Sequence, residues 1–455
     1  MKDRQRNHDR ARKIASNPWG QKSTVKNRVV ITGVGPVSPI GIGKEVYWDA
    51  LSSGKSGAKP ITFEECDMNQ YATKIACPIE KFSLGDFLQK TKDAKYLGRT
   101  TQLAMAGAKL ALEDAGLSLE RLEATTGRGD YRIRGIDPVE IGTILGVGVE
   151  NMDLCEKYHK RFLRSRGPSK ISPFALPHIQ VGSVPGNVSK KFSAKGITMD
   201  VSTACASAIH AAIIAYKQIF MGEEKIIITG GADACITPYV FGGFDAMGAM
   251  SKRNETPEKA SRPFDRGRDG FVLGEGAGIV ILEELTHALD RGAHIYCEMT
   301  GFGSTSDAYH ITAPDPTGEM QAKAIRDALK KANAEPEEVD YINAHGTSTR
   351  LNDSTETLAI KKALGNHAYR VPISSTKSMT GHLVGGSGGV EVIATALMIE
   401  KEVVHPTINF ETADEDCDLN YVPNKTLKKP IRKALKNSFA FGGQNAAIVL
   451  EKYGV

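Results

Sequence analysis

The residues whose types and settings can do covalent chemistry are one cysteine and two histidines. Cys205 stands in DVSTACASAIH (200–210), where an apolar strand-like run turns into an Ala-rich, helix-like one. Such a turn resembles a nucleophile elbow, with the first helical N–H groups and the macrodipole favouring a thiolate. The backbone N–H of Cys205 is also placed to stabilise an oxyanion. His345 closes the apolar run YINAH (341–345) and enters the hydroxyl-rich GTST, whereas His382 closes SSTKSMTGH (374–382), with Lys377 upstream and GGSGG (385–389) just after. A lysine near a histidine disfavours imidazolium, and a neutral ring keeps an N–H to donate to a thioester carbonyl or an enolate oxygen. Taken singly, each of the three reads as an ordinary buried or hydrogen-bonded residue. Together they describe acyl-thioester chemistry.

A fourth segment, NSFAFGGQN (437–445), alternates aromatic with small residues and ends in a Gly-Gly turn. Phe441 is placed there to gate a pocket and offer its backbone N–H.

The elements that must hold these residues alternate in type. Residues 29–33 read as a buried strand ending in glycine, and 104–114, 321–332 and 355–364 read as helices, the first with Gly116 as its C-terminal cap. Strand and helix runs in alternation predict a layered α/β fold. The chain also echoes itself. A strand (197–201), a loop ending at Cys205, a helix (206–219), a strand (225–229) and GEGAGIVILEE are matched later by 371–375, a loop ending at His382, a Gly/Ala-rich helix and GGQNAAIVLEK. The expectation is two halves of one plan, 28–286 and 287–455, placing Cys205 and His382 at equivalent loop-to-helix junctions that face each other.

Composition narrows the field. With 455 residues, 41% of them hydrophobic, the chain is long enough for one large or two smaller cores. No apolar run reaches the roughly 18 residues of a membrane span, and no secretory signal opens the chain. The 7 cysteines are scattered singly, without disulfide or zinc spacing, which fits a reducing cytoplasm. Residues 1–27 hold eight Lys/Arg against two Asp, so the net charge of +5 resides in this arm and the remainder is near −1. The arm reads as disordered, and no nucleic-acid or membrane partner is expected.

With STACAS (202–207), NAHGTST (343–349), KSMTGH (377–382) and FAFGGQN (439–445) in this order, the chain from residue 28 on resembles the β-ketoacyl-acyl-carrier-protein synthases of the elongating, type II fatty-acid class. PFDRGRDGFVLGEG (263–276), KISPF (170–174) and CDLNYVP (417–423) extend the match. The resemblance implies a duplicated thiolase-like fold layered α-β-α-β-α, a homodimer, and decarboxylative condensation of malonyl carrier protein with an acyl chain on Cys205. His345 and His382 would promote decarboxylation and hold the enolate, Lys377 would tune His382, and the N–H groups of Cys205 and Phe441 would form the oxyanion hole. Thr347, Thr349, Phe439 and His310 would bind substrate, and Lys170 and Arg253, extended by 157–166, would dock an acidic acyl carrier protein. No redox or metal cofactor is implied, apart from a structural cation that some relatives hold near positions matching Asn343 and Glu391.

Four features depart from the pattern. Val149, Glu150 and Asn151 occupy the glycine-rich loop by the acyl tunnel, which leaves the acyl length open. Ala440 replaces a gate glycine and would restrict motion. Residues 125–138 look like an inserted charged loop, and the basic arm is additional. Among rivals, a thiolase needs a second cysteine, and the late one, Cys417, lies in an acidic stretch that reads as surface. Chain-initiating synthases pair Cys with His and Asn, and non-condensing partner subunits lack the nucleophile. A carrier-binding scaffold would not need the intact triad. The nearest alternative is a ketosynthase of polyketide or specialised lipid assembly with the same triad.

Overall fold

Ten strands and six helices position the site. In chain order they are β1 (Val29–Ser38), α1 (Arg99–Asp114), β2 (Ile141–Gly146), α2 (Ser183–Phe192), β3 (Thr198–Val201), α3 (Ser207–Phe220), β4 (Ile226–Ala234) and β5 (Glu275–Glu284). The second set is β6 (Cys297–Ser306), α4 (Glu319–Lys331), β7 (Tyr341–Asn343), α5 (Arg350–Leu364), β8 (Ile373–Ser374), α6 (Ser387–Lys401), β9 (Lys433–Phe439) and β10 (Gln444–Glu451). The computed structural model describes residues 26–88, 94–122 and 130–454. Most of the basic arm and part of the 125–138 insertion lie outside them. The rest of that insertion includes the strand Tyr131–Ile133, which pairs antiparallel with Leu119–Arg121.

The strands form one path, β8-β7-β9-β10-β6-β1-β5-β4-β2-β3, with Gly41–Ile42 added on β1. Read outward from the centre, β1-β5-β4-β2-β3 and β6-β10-β9-β7-β8 have the same order and the same directions, two antiparallel pairings followed by two parallel ones. The internal echo of the sequence is thus a repeat of topology. Among the described residues, strand pairing joins the two sets where Val30 and Ile31 of β1 pair with Glu298 and Cys297 of β6.

Five layers follow from what each helix touches. α1 covers β1, β5 and β4, α2 covers β2 and β3, and α4 covers β6 and β10 with α5 beside it. α3 and α6 lie between the two sets, each touching strands of both. Their sequences explain the place. α6 is buried on every side from Ser387 to Ile399, as an almost wholly apolar, small-residue helix must be. Its Gly389 rests against Gly278 of β5, so closely that a Cβ on Gly278 would lie 2.0 Å from the Val390 nitrogen. α1 instead buries one face, including Leu103, Met105 and Leu112, beneath a charged outer one.

Two boundaries differ from the sequence reading. The folded body starts at least one residue earlier, since Asn27 donates from its backbone to Phe220 O (3.3 Å) and from its amide to Ile219 O (3.2 Å). Cys417 is buried, not on the surface, because its acidic neighbours carry the polarity of that stretch while the sulfur joins the cluster of Phe264 and Tyr421.

Candidate active site

Cys205 leaves β3 through a tight turn and sits just outside α3, whose N-cap is Ala206. Ala204 takes φ +47°, a conformation that costs an alanine roughly 1–2 kcal/mol, so the turn is held from outside. Ser207 does this, accepting from the Thr203 N–H (2.9 Å) and donating to Ala204 O (2.6 Å). The elbow is therefore present. Its electrostatics differ from expectation: burial pushes the Cys205 thiol up to about 11, outweighing the charge of Lys377 and the N–H groups of Phe441 and Cys205 directed at the sulfur. Those two N–H groups mark where an oxyanion would be held.

His345 follows β7. Its backbone N–H and that of Gly346 each donate to the Glu356 carboxylate at 2.8 Å, which fixes the loop. Lys377 Nζ donates to His345 O (2.7 Å) and lies 3.3 Å from His345 Nδ1. An ammonium only donates, so Nδ1 accepts and the ring proton sits on Nε2. His382 reaches the same tautomer by another route, its Nδ1 accepting from the Val384 N–H (3.2 Å) and meeting Ser387 Oγ at 2.9 Å. His382 Nε2 is 3.0 Å from Cys205 Sγ. The two rings stand edge to face with centroids 5.6 Å apart, and one ligand atom from each of Cys205, His345 and His382 falls within a 4.8 Å group. Burial, then the Lys377 ammonium, drives both imidazoles well below their usual range. The result is two neutral N–H donors beside one protonated thiol. Lys377, expected to act on His382, makes its direct contact with His345 and reaches His382 through charge alone.

Two cavities meet at Cys205. The larger, about 370 Å³, is lined by Cys205, His345 and His382 together with Thr347, Thr349, Phe439 and Phe441. The hydroxyls of Thr347 and Thr349 are 2.8 Å apart. The smaller, about 110 Å³ and almost wholly apolar, is lined by Val149, Phe244, Val384, Phe271 and Phe441, with Cys205 and His382 at one end. Phe271 and Phe441 border both. Ala440 carries no positive φ; the glycines Gly442 and Gly443 take that role in the turn, so alanine fits this state of the gate.

Other expected residues lie farther out. His310 is exposed and lines neither cavity; its Nδ1 accepts from the Thr312 and Ala313 N–H groups, both at 3.1 Å, which orders the loop whose Thr312, Ala313 and Pro314 form the cavity wall. Lys170 is exposed. Arg253 donates to Gly267 O at 2.7 Å and lies beside Asp269, a residue of the larger cavity. The 157–166 segment borders a cleft shared with Glu64, Glu65 and Glu156, so its charge is mixed. Asn151 is buried in left-handed conformation, its amide donating to Thr101 Oγ1, His178 O and Ser183 Oγ. Glu150 accepts from the Gly182 N–H, and burial together with Asp200 pushes it up to about 7.

Three supporting residues escaped the sequence reading. Asp233 is fully buried and accepts from the Gly148, Val149 and Gly385 N–H groups at 2.7–3.0 Å, tying the wall of the small cavity to the His382 loop. Ser387 orients His382, and Lys436, in the buried strand β9, pairs with Glu391. A charged residue inside a buried strand was the available signal in two of the three.

That lysine bears on the question of a structural cation. Lys436 Nζ lies 2.8 Å from Glu391 Oε2, an ion pair without hydrogen-bond geometry, and also meets Asn437 O and, at 3.4 Å, Ser438 Oγ. Asn343 stands opposite Lys436 in the β7–β9 register. The positive charge beside Asn343 and Glu391 thus belongs to the chain, and these residues do not fit a separate ion.

Comparison with known proteins agrees with this geometry. The family model described as Beta-ketoacyl synthase, N-terminal domain matches residues 26–288, and Beta-ketoacyl synthase, C-terminal domain matches 296–411. The chain is 45% identical over 428 residues to the 3-oxoacyl-[acyl-carrier-protein] synthase 2 of Synechocystis sp., covering 94% of this chain and 99% of that protein. It is 44% identical to the protein of the same name from Coxiella burnetii, with the same shares. Among solved structures, a type II polyketide acyl-carrier protein in complex with its ketosynthase bound to the hexaketide superposes with a TM-score of 0.84 at 35% identity, covering 94% of this chain and 99% of that one.

Proposed function

This chain belongs to the β-ketoacyl synthase family, and on that premise we propose that it lengthens acyl chains in fatty-acid synthesis by decarboxylative Claisen condensation. The observation that carries the reading is the convergence of two neutral imidazole Nε2–H donors on the thiol of Cys205 at the meeting point of two cavities.

The chemistry divides between the cavities. Cys205 attacks the acyl thioester of a carrier protein, the N–H groups of Cys205 and Phe441 hold the oxyanion, and the thiol proton leaves with the pantetheine sulfur. The acyl chain then lies in the apolar cavity beneath Val149. Malonyl carrier protein enters through the larger cavity, where Thr347 and Thr349 meet its pantetheine arm. The two Nε2–H groups take the thioester oxygen as CO₂ departs, and the enolate carbon attacks the acyl carbonyl on Cys205. Collapse expels the sulfur, which takes up a proton from water to restore the thiol. Loss of CO₂ drives bond formation, so no redox or metal cofactor is required.

Lys170 and Arg253 receive the acidic carrier protein. The chain works as a homodimer in the cytoplasm. In support of the dimer, β3 ends the strand path among the described residues with Thr198 and Met199 exposed, and Leu176 and Val181 are 73% and 76% exposed, apolar surface that a second copy covers. No helix among the described residues is long and apolar enough to cross a membrane.

Polyketide assembly is the second reading, favoured by the solved ketosynthase above. Fatty-acid elongation is preferred because identity to the 3-oxoacyl-[acyl-carrier-protein] synthase 2 relatives is higher. Incubation with acyl carrier proteins bearing saturated or polyketide chains, followed by mass spectrometry of the Cys205 peptide, tests both readings. Saturated acylation that disappears in Cys205→Ser supports the proposal; acylation only by polyketide chains, or label elsewhere, refutes it.

A further inference from the structure

The buried cluster behind His345 holds more charged and polar groups than the reaction itself uses. Glu391 is fully buried, with one carboxylate oxygen 2.5 Å from Lys377 Nζ and the other 2.8 Å from Lys436 Nζ. Around Lys436 are neutral oxygens, Asn437 O and Ser438 Oγ. Two amide oxygens of the same neighbourhood, Asn343 Oδ1 and Asn437 Oδ1, are buried without a hydrogen-bond partner, their amide nitrogens facing Thr376 Oγ1 (3.1 Å) and Glu356 Oε1 (3.5 Å). One carboxylate among several neutral oxygens carries a single negative charge, which one monovalent cation neutralises. An ammonium group and a bare potassium ion are nearly the same size.

We propose that Lys436 supplies, as part of the chain, the monovalent positive charge that this oxygen cluster requires, and so serves as a positioning residue for His345 in place of an exchangeable cation. The line of action is Lys436 to Glu391 to Lys377 to His345. Without the Lys436 charge, Glu391 has one counter-ion where the geometry presents two, and Lys377 is drawn away from the His345 carbonyl and Nδ1. A buried carboxylate that loses a partner is costly, and the site relaxes by admitting an ion or by shifting Lys377. The inference rests on the assigned chemistry only for its activity readout.

The test compares potassium chloride with choline chloride at equal ionic strength, on the native protein and on Lys436→Ser, which opens the space, and Lys436→Met, which fills it with an uncharged chain. The native protein has the same turnover and thermal midpoint in both salts. Lys436→Ser loses roughly tenfold or more of its turnover in choline, as groups that orient reacting side chains typically do when removed. Potassium restores it and raises its midpoint with concentration, as a ligand bound only by the native state must. Lys436→Met is impaired in both salts. A potassium-specific rise of the native midpoint overturns the proposal, as does a Lys436→Ser protein whose yield, midpoint and turnover are all indifferent to potassium. The midpoints are read without substrate, so failure here is distinct from failure of the condensation assignment.

Discussion

Replacing His382 with alanine separates the two half-reactions. In the structure its Nε2 is 3.0 Å from Cys205 Sγ, and its Nδ1 is committed to Val384 and Ser387, so the ring offers one N–H toward the reacting atoms. On the proposed mechanism that donor serves the enolate hole, and acyl transfer to Cys205 relies on the backbone N–H groups of Cys205 and Phe441. Deleting one of two convergent donors in a buried site costs about 10²–10³ in rate, or about 3–4 kcal/mol of transition-state stabilisation. Release of CO₂ from malonyl carrier protein is therefore expected to fall by about that factor, while acylation of Cys205 falls less than about tenfold. The Val384 N–H and Ser387 hydroxyl lose their partner, an added stability cost of about 1–3 kcal/mol, so the thermal midpoint is measured alongside. His382→Asn, which refills part of the space, guards against a folding artefact. Unchanged decarboxylation, or equal loss in both half-reactions of a folded variant, refutes the division of roles.

Other outcomes follow from single residues. Cys205→Ser abolishes covalent acylation, read by intact-protein mass spectrometry. His405 is buried and held down to about 4, so it remains neutral in the folded state while the unfolded chain takes up its proton below about 6.5. Native stability therefore falls relative to His405→Asn as pH drops from 6.5 to 4, by about 3 kcal/mol in total, checked by denaturant unfolding across that window. Lys170→Glu raises KM for carrier protein several-fold at low salt with little change in kcat, and the difference fades as salt is raised; a salt-independent or absent effect removes Lys170 from docking. Deleting residues 1–25 leaves turnover unchanged, and a large loss assigns the arm to docking.

The triad was legible because each member ends a local pattern: His345 a strand-like run, and Cys205 and His382 loops that lead into small-residue helices. The repeat of topology was legible for the same reason, since Cys205 and His382 close equivalent loops. What the sequence left open is what depends on distant parts meeting. Nothing local to Lys377 says that its ammonium turns to His345 rather than His382, because α6 and its Glu391 decide that. The thiol of Cys205 illustrates the limit well. Helix position alone argues for easy ionisation, but burial from both halves outweighs it. Asp233 and Lys436 are charged residues within strands, and only the packed structure gives them partners.

The near-complete enclosure of α6 against α3 and both strand sets has a consequence for biosynthesis. The nucleophile and its histidine are 177 residues apart, and contacts of such span form late in folding. With ribosomes adding about 5–20 residues per second, α3 leaves the ribosome roughly 10–40 s before α6 is made to cover it. During that interval the nascent first half presents an apolar surface and an unfinished centre. Catalytic competence therefore waits on segments made long after α3, and a chain stalled between β5 and α6 leaves exposed the surface that α6 covers in the folded protein.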